Sequence, residues 1–310
     1  NRRHNVHVVV FFIFLVANIG GPMTPLGDPP LFLGFLKGVE FFWPTSHMVL
    51  PMLVVALPLL AIFYALDSYL VRTESATQAP APAGERLGLE GKVNLLLLLG
   101  VMAAVLLSGV WNSGVEFVVY HVPVTLQNLT RDLLLIAIAV LSLKLTHHES
   151  RRANGFTWFP ILEVAKLFAG IFITIFPVIA MLRAGEAGAL GGVGQLGTGP
   201  GGLPDNTMYF WVTGALSSFL DNAPTYLVFF NTAGGDAQLL MGPEANTLLA
   251  ISAGAVFMGA NTYIGNAPNF MVRSIVEEQG TKMPSFFGYM AWSGLILLPL
   301  FAVVTLLFFA

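Results

Sequence analysis

Long apolar stretches dominate this chain, and short polar ones separate them. Runs of Leu, Val, Ile, Phe and Ala occupy residues 47–71, 92–111, 129–146, 159–182 and 286–309. Each approaches or exceeds the ~20 residues that a helix needs to cross about 30 Å of hydrocarbon. None alternates apolar and polar positions as a barrel strand does, so the runs predict transmembrane helices. Two further stretches are apolar but interrupted. Residues 6–36 break between Asn18 and Pro30 (NIGGPMTPLGDPP), and residues 247–272 break between Gly259 and Pro268 (GANTYIGNAP). Pro and Gly at this density cannot sustain an α-helix. The freed backbone groups must then face protein, water or an ion rather than lipid. The expected fold is an all-α polytopic membrane protein.

The two interruptions share a pattern. Thr24–Phe32 and Thr262–Phe270 align as T-x-[L/I]-G-[D/N]-x-P-x-F. Basic residues then orient the segments, because Lys and Arg collect on the cytoplasmic side. Arg2/Arg3, Arg72/Arg86/Lys92, Lys144/Arg151/Arg152 and Arg273/Lys282 fall on one side with an even number of crossings between the first three groups. The loops 184–206 and 232–246 carry neither Lys nor Arg and are expected outside. The segment between them, 207–231, therefore starts and ends outside and is expected to be a re-entrant hairpin. The first broken helix then runs inward-to-outward and the second the opposite way, which makes an inverted repeat.

The expected organisation is the end of a first repeat over 1–71, a cytoplasmic linker over 72–91 and a second repeat over 92–310. The second repeat holds the hairpin 207–231, the broken helix 247–272 and a final span 286–309. Only the second broken helix has an upstream hairpin, and the chain opens without Met, so a longer protein is expected. The polar stretch 112–127 is expected at the interface.

Composition agrees with this picture. Of 310 residues, 55% are hydrophobic and only 10% are charged, against roughly 25% charged in soluble domains. No Cys is present, which removes disulfides, thiolate metal sites and thiol nucleophiles. A net charge of −3 gives no reason to expect nucleic acid as a partner. No His-Glu-x-x-His or nucleophile–base constellation appears, so an enzyme is not expected.

The hairpin tip, Ser217-Ser-Phe-Leu-Asp-Asn-Ala-Pro-Thr225, is richest in candidate chemistry. Asp221 is expected near mid-membrane, where an ionised carboxylate costs several kcal/mol unless a cation or proton compensates. Capping the second arm is the alternative role for Asp221 and Asn222. Ser217, Ser218, Asn222 and Thr225 supply hard oxygen ligands. Asn18, Thr24, Asp28, Asn261, Thr262, Asn266 and Asn269 lie in the breaks and are expected to complete the ion or substrate site. Asp221, Asn222 and Thr262 are the Na+ candidates. Glu163 and Lys166, three apart on one helix face, are a weaker candidate for a proton path.

These motifs resemble the ion-transporter superfamily of arsenite permeases, NhaD-type sodium:proton antiporters and citrate or dicarboxylate transporters. The likeness is nearest to its bacterial sodium:proton antiporter and citrate-transporter branch, over that branch's C-terminal two-thirds. It implies a secondary transporter working by alternating access, with no cofactor beyond the transported ions. Na+/H+ antiport is the first expectation, since Asp221 replaces the Ser of the carboxylate carriers. Cation-coupled citrate or dicarboxylate transport is the alternative. The resemblance further implies a multi-pass protein of the bacterial inner (plasma) membrane, with the lipid bilayer, a small cation or carboxylate and a second copy of the chain as partners.

Overall fold

The computed structural model describes residues 4–73, 91–119, 122–158, 204–278 and 280–310, together with 199 and parts of 161–181. Five of its helical segments are long and apolar enough to cross a membrane. With almost all of the remaining described elements helical too, this makes the protein an all-α polytopic membrane protein. The chain divides into two compact units, Asn1–Ala79 with Leu162–Ala310, and Pro80–Ile161.

The first unit opens with the interrupted stretch. Helix α1 (Val6–Phe14) passes into a wider π-type turn (Leu15–Ile19) and a 3₁₀ turn (Gly21–Met23), and helix resumes as α2 (Pro29–Leu36). Pro22, Pro25, Pro29 and Pro30 remove four backbone donors in nine residues, so the ladder cannot continue. Helix α3 (Trp43–Thr73) is 31 residues long and keeps Pro51 and Pro58 within it.

The second unit holds α4 (Lys92–Val110), a two-stranded ladder, α5 (Leu126–Leu145) and the short α6 (His148–Ala153). The ladder is a short exception within the otherwise helical fold. Strands β1 (Glu116–Val119) and β2 (Val122–Thr125) pair antiparallel, Glu116 opposite Thr125. The β-branched run Val-x-Val-Thr and the positive φ of Gly114 suit such a ribbon.

Back in the first unit, the expected hairpin is a pair of helices, α7 (Asn206–Phe219) and α8 (Asn222–Thr232), joined by Leu220 and Asp221. Arms of 14 and 11 residues reach about 21 and 16 Å, short of a full crossing. A short α9 (Ala237–Met241) leads to α10 (Ala245–Met258), a 3₁₀ turn (Gly259–Asn261), α11 (Ala267–Glu278) and the final α12 (Phe286–Phe308). The span expected over 159–182 and the loop 184–206 lie largely outside the described residues.

Two helix pairs bring the hairpin tip to both breaks. Arm α7 runs beside α10 in the same direction, with Thr247 bonded to Asn206 near one end and Ser217 to the Ala255 carbonyl near the other. Close approach is possible because of Gly254: a Cβ there would lie 2.5 Å from the Phe210 carbonyl oxygen. Arm α8 likewise runs beside α2, and a Cβ on Gly34 would meet the Tyr226 hydroxyl at 2.4 Å. Helix α2 thus leaves the centre toward the hairpin's open ends, while α10 enters from them. The two broken segments are traversed in opposite senses, as an inverted repeat requires.

Candidate functional site

The breaks themselves follow one path. Each has a 3₁₀ turn beginning at a glycine, Gly21 or Gly259, followed by an extended threonine. Thr24 has φ −150° and ψ 161°, and Thr262 has φ −137° and ψ 168°. Each then folds back so that a Cβ on Gly21 would lie 3.2 Å from the Gly27 carbonyl oxygen, and one on Gly259 3.2 Å from that of Gly265. No side chain fits where the loop crosses itself: a Cβ on Gly27 would fall 2.1 Å from the Gly21 oxygen. The sequence alignment therefore corresponds to a shared backbone conformation, which brings Asp28 and Asn266 to equivalent positions.

A chain of hydrogen bonds joins the tip to both breaks. Asn222 Nδ2 donates to Asp28 Oδ1 at 2.9 Å. Asn261 Nδ2 donates to Ser218 Oγ at 2.9 Å, and the Thr262 hydroxyl donates to the Ser218 carbonyl. Ser218 Oγ itself donates to backbone carbonyls of Gly214 and Met258. The breaks also bond to each other. Asn18 Nδ2 donates to Asn269 Oδ1 at 2.7 Å, and Asn266 Nδ2 donates to Asn18 Oδ1 at 3.1 Å. Asn269 in turn satisfies the carbonyls of Gly259 and Thr262. Ser217, Ser218, Asn222, Asn18, Asp28, Asn261, Thr262, Asn266 and Asn269 thereby gather in one cluster, eight of them buried. Thr24 is half-buried at its equivalent of the Thr262 position.

The two acids part company here. Asp221 is half-buried and its Oδ1 accepts from the Ala223 amide at 3.0 Å, so it caps α8. Thr225 turns inward on the same helix and donates to the Asp221 carbonyl. Asp28 is 3% exposed, caps nothing with its side chain and makes no ion pair among the described residues. Its Oδ2 is buried without a hydrogen-bond partner, as are Oδ1 of Asn222, Asn261 and Asn266. The sequence points first to Asp221 as the ion-binding carboxylate; the more deeply buried of the two, with an oxygen left over, is Asp28. A signal for this lies in the chain: Asp28 precedes Pro29 and Pro30, which have no N–H for a side chain to cap, whereas Asp221 precedes Asn222 and Ala223, which do.

An oxygen-rich centre with a buried carboxylate and, among the described residues, no ion-paired cation suits a small hard cation or a proton. Hydroxyls outside the breaks hold it in shape. Thr45 on α3 donates to the Met23 carbonyl, and Ser293 on α12 donates at 2.7 Å to that of Asn261, the equivalent last residue of the other 3₁₀ turn. Tyr289 Oη donates to the Ala260 carbonyl at 2.9 Å. Sequence reasoning missed these three, because a hydroxyl in an apolar helix does not reveal its partner. Of the candidate proton path, Lys166 is helical and exposed, and Glu163 lies outside the described residues.

No curated protein and no solved structure matches the chain. A family model does, over residues 1–309, and its description is putative citrate transport. Interrupted helices and a hairpin meeting at one polar centre are the architecture of secondary transporters, and by that match the chain belongs to this citrate-transporter family of membrane transporters.

Proposed function

We propose that the protein is a secondary transporter coupled to Na+ or H+, with Asp28 as the group that takes up the coupling ion. The observation carrying this reading is the buried Asp28 carboxylate, whose Oδ2 has no partner among the described residues while Asn222 holds its Oδ1. A buried anion costs several kcal/mol unless it is paired or protonated. A carboxylate that takes Na+ and H+ in turn accounts for exchange of the two, so Na+/H+ antiport by alternating access is the first activity. Asn222, Asn261 and Asn266 offer neutral oxygens to the ion, with Asp221, Ser217, Ser218, Thr225, Thr262, Asn18 and Asn269 shaping the cluster.

Membership of the citrate-transporter family favours a second reading, in which the cation moves together with citrate or a dicarboxylate. Both readings belong to a bacterial inner membrane, and the chain would work there as a homodimer. The experiment reconstitutes the full-length protein in proteoliposomes and measures Na+ uptake driven by a pH gradient, alongside citrate and succinate uptake driven by Na+ or H+. Cation exchange without carboxylate supports the first activity. Carboxylate uptake that requires the cation moves the function to the second, and neither flux would reject the coupling role of Asp28.

A further inference from the structure

We propose that the end of α4 and α5 where Lys92, Lys144, Arg151 and Arg152 gather holds the headgroup of an anionic phospholipid, a site separate from the ion pathway. Lys92 opens α4, Lys144 sits in the last turn of α5, and the two arginines close α6. The helices α4 and α5 run antiparallel. Asn94 Oδ1 accepts from Ser142 Oγ at 2.9 Å and Thr146 Oγ1 at 3.0 Å, and a Cβ on Gly100 would touch Ile138 further along. Their shared end is therefore the basic one, and by charge it is the cytoplasmic one.

A cavity of about 520 Å³ opens there. Its polar lining includes Asn94, Ser150 and Arg151, and its apolar lining Leu95, Leu98 and Phe156. Leu98 stands one turn beyond Asn94 along α4, so the apolar wall leads away from the basic mouth along the span. Leu95 and Leu98 are 54% and 56% exposed, as befits side chains that meet acyl chains.

Arg151 is the anchor. Its Nη2 donates to the carbonyls of Leu143 and Thr146 and so caps α5. Arg151 also lines the cavity, so a phosphate there meets its guanidinium, and Arg–phosphate bonds are charge-assisted. Basic residues at a membrane surface add attraction toward anionic lipid. A soluble anion would use the arginine but not the apolar wall; a phospholipid uses both.

The test is native mass spectrometry of the full-length protein exchanged into mixtures of phosphatidylglycerol and phosphatidylcholine. Wild type should retain phosphatidylglycerol about tenfold better, roughly 1.4 kcal/mol. Arg151→Gln should lose that preference. Leu98→Trp should lower retention comparably by filling the apolar wall, leaving Arg151 and the α5 cap in place; it alone decides if Arg151→Gln does not fold. Equal retention of the two lipids overturns the site. So does an Arg152→Gln effect as large as that of Arg151→Gln, which would mean diffuse attraction. Full competition by millimolar inorganic phosphate would overturn the lipid in favour of a soluble anion.

Discussion

Asn222, the first residue of the second hairpin arm, donates its amide to the carboxylate of Asp28 in the first break across 2.9 Å, although 194 residues separate them. The bond ties the hairpin to a broken segment from the other end of the chain. It is made by a neutral donor, so it orients Asp28 without cancelling its charge. That leaves the charge available to an ion, which a Lys or Arg partner would not.

Replacing Asp28 by Asn keeps the shape and removes the charge. Coupled flux in proteoliposomes should fall on the order of a hundredfold, about 2.7 kcal/mol, with membrane insertion unchanged. Asp221→Asn should stay within about twofold of wild type, because Asn caps a helix as well as Asp. The reverse ranking would move the ion-binding carboxylate to the hairpin tip.

Protons and Na+ should compete for that carboxylate. A protonated Asp28 offers no charge to Na+, so apparent Na+ affinity should rise with pH while the group is mostly protonated, by about tenfold per pH unit for strict competition. It should level off once the carboxylate is ionised. Transport assays over a pH series at several Na+ concentrations read this directly, and a pH-independent affinity would remove Asp28 from the coupling step.

Asn222→Ala leaves Asp28 Oδ1 without its donor. The loss of a buried hydrogen bond to a charged group costs roughly 1.5–3 kcal/mol, so cation affinity should drop about tenfold or more while competition by protons persists. An unchanged affinity would show the bond to be incidental.

The crossings within the breaks leave no room for a methyl group. A Cβ on Gly265 would lie 2.5 Å from the Gly259 oxygen and 2.8 Å from that of Ser217. Gly27→Ala and Gly265→Ala should each lower the melting temperature sharply or prevent folding. Gly294 on α12 has nothing among the described residues within 4 Å of its would-be Cβ, and Gly294→Ala should be neutral or stabilising by up to ~1 kcal/mol. Thermal unfolding followed by size-exclusion chromatography distinguishes the three.

Thr45→Val and Ser293→Ala remove the hydroxyls that hold the Met23 and Asn261 carbonyls. Each orphaned carbonyl costs about 1–3 kcal/mol if it stays buried. Both variants should weaken ion affinity more than they slow maximal flux, because they loosen the loop that positions the oxygens. An unaltered affinity would make these contacts purely structural.

Much of this protein is legible in its amino-acid order, because a bilayer admits few solutions. Apolar runs near 20 residues predict α3, α4, α5 and α12 with ends displaced by only a few residues. Clustered Pro and Gly locate both breaks, since at that density the helical ladder cannot continue, whereas α3 keeps the isolated Pro51 and Pro58 within it. Absence of Lys and Arg around 207–231 points to the hairpin, because charge bias records which side each loop occupies. The short ribbon of β1 and β2 escapes such reasoning: its strands are four residues each, and pairing so local depends on a turn rather than on apolar pattern.

Which residues matter within the cluster is decided elsewhere. Composition and order determine a polytopic helical protein with two like interruptions, because hydrocarbon penalises every unpaired backbone group and every charge along a single segment. Whether Asp28 or Asp221 is buried, and which oxygens are left for an ion, depends on side chains up to 251 residues apart, such as Asn18 and Asn269, meeting at one point. Only packing settles that. Asp221 commits its oxygen to the helix that follows it, whereas the Asp28 side chain, set before two prolines, caps nothing in the helix that follows and takes its donor from the hairpin tip.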